Sequence, residues 1–223
     1  MSVIRRPSVL GRRAQRRIDG LTAAFSTATV EAIAVGTWFA LVAVETRTSY
    51  SAIAGLTVLI FGAFLRTGFY GSAVGTLNSL TLTRRVIAAA LFAGSWLCWL
   101  LLAETIGGVV GMMVAAFLLA SLLAIQFSLE RRAVTLRPTP QPTTLFVVPR
   151  TTTALLPAIV LAIGATALLG ITWFVDVPSV AVMVPVGSRT IFVELGAFVL
   201  GILTFAGCSL LAQERRIQRV LAD

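Results

Sequence analysis

The chain has 223 residues, 57% hydrophobic and only 12% charged, with a mean hydropathy of +0.94. Soluble domains carry about 25% charged residues, so the composition is that of an all-α polytopic membrane protein. Eighteen arginines against nine acidic residues give a net charge of +9, with no lysine and no histidine. That inventory excludes retinal or any other Schiff base on a lysine, histidine-ligated haem, histidine metal sites and Ser-His pairs.

Residues 1–20 hold Arg5, Arg6, Arg12, Arg13, Arg16 and Arg17. They read as a basic arm or as an interfacial helix in which Leu10, Ala14 and Ile18 recur every four residues. Such a helix would meet anionic lipid heads. The apolar run that follows is too long for the core of a signal peptide and carries Glu31, so it reads as a retained span.

Six spans form one bundle over residues 21–213, at about 22–44, 51–75, 86–103, 107–129, 153–175 and 194–213. Crossing about 30 Å of hydrocarbon takes about 20 apolar residues. Residues 214–223 are a short tail. Fifteen arginines fall on one side: the six above, Arg84, Arg85, Arg131, Arg132, Arg137, Arg150, Arg215, Arg216 and Arg219. Only Arg47 and Arg189 fall on the other. The positive-inside rule places both termini in the cytoplasm, in the cell membrane. The same rule assigns the basic charge to topology, and no nucleic-acid partner is expected.

Arg66 lies inside span two. A charge at mid-bilayer costs about 2.5–3.5 kcal/mol even on the lenient insertion scale, and arginine does not deprotonate. Glu31 lies 14 residues before Glu45, and Arg66 lies 16 residues after Tyr50. At 1.5 Å per residue the two share a level across a helical hairpin, about 21–24 Å from its turn. The expectation is an intramembrane ion pair, structural or gating.

Other features are weaker. Glu45, Glu104, Asp176 and Glu194 all fall at outer ends of spans, where acidic residues remain when arginines are held inside. Gly71 with Gly75, and Gly107 with Gly111, form GxxxG pairs that suit close helix packing, and Ala197 with Gly201 continues that spacing. Cys98 and Cys208 differ in depth by about 12 Å, too far for a disulfide, and read as buried apolar residues. Trp38, Tyr50, Trp96, Trp99 and Trp173 read as an outer aromatic belt.

The connection 131–150 contains Pro138, Pro140, Pro142 and Pro149 and reads as an extended spacer. Residues 176–193 place β-branched runs on either side of "PVGS". They read as a small outer β-hairpin, as a re-entrant segment, or as an earlier start of span six. "LERR" at 129–132 and "QERR" at 213–216 both end spans on the arginine-rich side, as topology alone demands.

No metal site and no cofactor is expected, and the partners are the lipid bilayer and other membrane subunits. The clustered acids or catalytic loop of an intramembrane enzyme are not evident. The sequence therefore favours an accessory or scaffold subunit of a membrane complex. The alternative is a small-solute permease, or the membrane subunit of a transporter, with Glu31 and Arg66 near its path.

Overall fold

The computed structural model of the chain describes residues 9–44, 48–73, 82–135, 152–175, 180–186 and 189–222. Its helices are α1 (Val9–Phe39), α2 (Ser49–Ala73), α3 (Leu82–Ile106), α4 (Gly108–Thr135), α5 (Thr152–Phe174) and α6 (Ala197–Ala222). A π-helical turn, Ala40–Val44, extends α1. Among the described residues, six helices are long and apolar enough to cross a membrane, over 21 to 24 residues each. Residues 136–151, including most of the proline-rich connection, lie outside the described residues.

Hydroxyl side chains are satisfied locally. Hydroxyls within the spans donate to the carbonyl one turn back, as Thr27 does to Ala23 at 2.7 Å and Ser95 to Leu91 at 2.7 Å. That satisfies them without water. Thr48 caps α2: its Oγ1 accepts the Ser51 amide at 3.1 Å, and the Ser51 hydroxyl accepts the Thr48 amide at 3.0 Å, a reciprocal capping arrangement. The α3–α4 junction turns on Gly107 and Gly108, whose φ values of 71° and 61° lie in the left-handed region. Side chains rarely tolerate that region.

The helices form a closed ring. Each packs against its neighbours in sequence, and α6 returns to pack on α1. A ring of six leaves a space at its centre that small residues cannot fill. Trp38, Trp96, Trp99, Phe92 and Phe205 are fully or almost fully buried and fill it. The Trp96 ring meets Trp38, Phe92, Trp99 and Phe205 edge-on at 5.5–6.4 Å, a favoured geometry for aromatic pairs. The outward faces carry Ile33, Phe61, Leu101, Phe117 and Ile163, all exposed.

Several expectations change. Residues 9–19, expected as an arm or a separate surface helix, are the first turns of α1, continuous with the first span. The third span does not stop at residue 103: its helix carries Glu104 and runs to Ile106. The sixth does not open at Glu194. Two antiparallel strands, β1 (Val180–Val186) and β2 (Arg189–Leu195), precede it, and Glu194 pairs with Ala181. Trp38, Trp96 and Trp99 belong to the core and not to an interfacial belt. Tyr50 is exposed. Both cysteines are free, and Cys98 is exposed where a buried residue was expected.

Close packing at glycine extends beyond the GxxxG pairs. Gly107 serves the turn, and Gly75 lies outside the described residues. A methyl group on Gly111 would sit 2.7 Å from the Ala103 carbonyl of α3. Among the described glycines the least room is at Gly62, where a Cβ would stand 2.2 Å from the Ala34 Cβ. Gly164 against Cys208 and Gly201 against Leu168 join α5 to α6 in the same way, at 2.6 and 2.9 Å.

We predict that Gly62→Ala destabilises the fold by about 1–3 kcal/mol through overpacking. Adding Ala34→Gly removes the opposing methyl and recovers part of the loss. Gly68→Ala, with nothing within 4 Å, is neutral or slightly stabilising. Thermal unfolding in detergent distinguishes the three.

Candidate functional site

The Ala34–Gly62 approach fixes the register of α1 on α2. Glu31 lies three residues from Ala34, and Arg66 lies four from Gly62 in the antiparallel helix. Both therefore sit about 4.5–6 Å further toward the arginine-rich end. Arg66 Nη1 lies 3.4 Å from Glu31 Oε1, with both side chains at most 2% exposed.

Arg66 has a second carboxylate, which the sequence reading did not assign to it. Its Nη2 donates to Glu130 Oε1 of α4 at 2.9 Å. The other oxygen of Glu130 accepts from Arg216 of α6. The four charges alternate in one chain, Glu31–Arg66–Glu130–Arg216, and sum to zero. Uncharged polar groups complete it. The Ser209 hydroxyl and Gln213 Nε2 each donate to Glu31 Oε2 at 2.8 Å. Gln126 Nε2 donates to Glu130 Oε1 at 2.9 Å.

Aromatic faces hold the guanidinium groups. The Arg66 Cζ stands 4.4 Å from the centre of the Phe92 ring and 5.6 Å from that of Phe127. The Arg216 Cζ stands 4.6 Å from the Phe127 centre. Cation–π attraction strengthens when water is excluded. The cluster thus joins α1, α2, α4 and α6 across the inside of the ring, with Phe92 contributed by α3.

Burial is graded along the cluster. Glu31 and Arg66 are closed off, whereas the Glu130 side chain is 13% exposed. Glu130 is also followed directly by Arg131 and Arg132, which close the apolar run. Among the described residues, Gln126 Oε1 and Gln213 Oε1 of this region are buried without a hydrogen-bond partner. Each belongs to an amide whose nitrogen is committed to a carboxylate.

Of the other acidic candidates, Glu104 is half-buried near the end of α3 and Glu194 lies in β2, while Glu45 and Asp176 lie outside the described residues. Among the described residues no group of three or more His, Cys, Asp or Glu side chains is placed to hold a metal ion.

Sequence reasoning missed Glu130 and Arg216 because "LERR" and "QERR" fit a span end. A signal was present. Ser209, Gln213 and Arg216 stand at helical spacing in α6, as Gln126 and Glu130 do in α4. Polar residues one turn apart in an apolar span share a face, and that face turns inward.

No family model, no curated protein and no solved structure matches this chain.

Arg66 serves two carboxylates and Glu31 is held by three donors, so their losses differ. Arg66→Gln strands charge beside Glu31 and is expected to cost about 3–5 kcal/mol. Glu31→Gln keeps an acceptor for Ser209 and Gln213 while Arg66 keeps Glu130, so about 1–3 kcal/mol is expected. Exchanging the two charges brings no recovery, because a carboxylate at position 66 would face Glu130. Thermal unfolding of the three variants tests this order.

Proposed function

We propose that the chain is a non-catalytic component of the cell membrane, with both termini in the cytoplasm, acting as a scaffold or accessory subunit of a membrane complex. The observation that carries this reading is the cluster itself. Its four charges neutralise one another and tie α1, α2, α4 and α6 together, and the aromatic block fills the ring centre beside it. That is a rigid body suited to holding partners. The distribution of arginines supports the orientation.

A second reading, a small-solute permease or the membrane subunit of a transporter, has one observation in its favour. The cluster forms a polar stripe from the partly exposed Glu130 inward to the closed Glu31, and intramembrane charges are common along substrate paths. The filled ring centre weighs against it.

Two measurements bear on these readings. In a cysteine-free background, a cysteine at Thr143 is expected to resist a membrane-impermeant maleimide in intact cells, and one at Ser188 to react. The reverse pattern contradicts the orientation. Native electrophoresis of gently solubilised membranes is expected to show the chain in a complex of fixed composition containing other subunits. A chain that migrates without other subunits, and gives solute flux in liposomes that Glu31→Gln abolishes, favours the permease.

A further inference from the structure

We propose that Arg66 and Arg216 form a phosphate-binding clamp, and that Glu130 occupies it as an internal stand-in for the ligand's oxyanion. This goes beyond the scaffold reading and holds under either functional reading.

Two guanidinium groups from different helices end on one carboxylate, one on each oxygen. Paired arginines suit phosphate oxyanions for the same geometric reason that they suit carboxylates. Arg66 has supports besides Glu130: it rests on Phe92 and is tied to Glu31, and both arginines lie over Phe127. Removing the Glu130 carboxylate would leave Arg66 held in place and the cluster with one uncompensated positive charge, which one bound oxyanion restores to neutrality.

A further atom points to a ligand. Gln126 donates to Glu130 through Nε2, while its Oε1 is buried without a partner. Both atoms belong to one amide, so this acceptor lies beside the clamp. A phosphate carrying a hydroxyl donor would satisfy it, and a plain carboxylate does not.

The level is right for such a ligand. Glu130 is followed directly by Arg131 and Arg132, and Arg216 stands between Arg215 and Arg219; arginines grouped at the end of an apolar helix lie where the hydrocarbon meets the headgroups. Glu130, at 13% exposed, is more open than Arg66 or Arg216. A tethered carboxylate has a high effective concentration, so dilute phosphate does not displace it from the native protein. A phosphate concentrated at the membrane surface competes better.

The test uses the full chain in a neutral detergent. Glu130→Ala is titrated with inorganic phosphate and, separately, with phosphatidylglycerol in mixed micelles, against chloride at equal ionic strength. We expect a saturable rise in its unfolding temperature of about 5 °C or more. Inorganic phosphate should give no such rise in the native protein, nor should either ligand in Glu130→Ala combined with Arg216→Gln. A rise with phosphatidylglycerol alone identifies a lipid headgroup as the source, and a rise with inorganic phosphate identifies phosphate itself. No rise with either ligand, or an equal rise without Arg216, overturns the proposal. If Glu130→Ala is recovered unfolded, the yield of folded protein purified in phosphate against chloride is the readout. Recovery that requires Arg216 supports the clamp, and none overturns it.

Discussion

Arg66 carries a charge that it cannot lose into a region where an unpaired charge is costly. Much of the rest of the structure can be understood as the answer to that constraint. One carboxylate would neutralise the charge, but Glu31 and Glu130 both reach it. The second acid demands a second base, which Arg216 supplies from the last helix. Partners in α1, α4 and α6 tie the bundle together across its interior. Buried ion pairs are weak evidence of net stability, because desolvation offsets their attraction. Here their role is better described as selecting one arrangement, since rotating any of these helices strands a charge.

The close contacts and the charges depend on each other. Helices in lipid gain little from the hydrophobic effect and associate through backbone approach and polar contacts. Gly62 against Ala34 sets the level at which Glu31 meets Arg66, and Gly164 and Gly201 bring α5 to the helix that carries Ser209, Gln213 and Arg216. The ring geometry then leaves a centre that large rings must fill. Trp96 at the middle of the aromatic block and Phe92 beneath Arg66 lie one turn apart on α3. That helix therefore faces both the aromatic filling and the charge cluster.

The sequence carries axial position well and rotation poorly. Six apolar stretches of spanning length were legible, and so was the shared level of Glu31 and Arg66, because the short connection between α1 and α2 makes depth a matter of counting residues. Which face a residue takes was not legible. Trp38, Trp96 and Trp99 lie at depths that suit an interfacial belt, yet they point inward because the ring needs their volume. Cys98 sits on an exposed face for the same reason in reverse. Glu130 and Arg216 were hidden by their neighbours: an arginine pair at a span end satisfies topology, so nothing in "LERR" or "QERR" alone calls for a buried partner. The helical spacing of Gln126, Ser209 and Gln213 was the available clue, since amides and hydroxyls at one-turn intervals in apolar spans need a polar neighbour.

The central claim is that four charges on four helices act as one unit and not as two separate pairs. A double-mutant cycle between Glu31→Gln and Arg216→Gln tests it most directly, because these residues sit at opposite ends of the chain of ion pairs, joined through Arg66 and Glu130. Unfolding free energies in detergent would be measured for the native protein, each single variant and the double. A single network predicts a coupling of about 0.5–3 kcal/mol. Effects that add within about 0.3–0.5 kcal/mol would contradict it and reduce the cluster to two independent contacts.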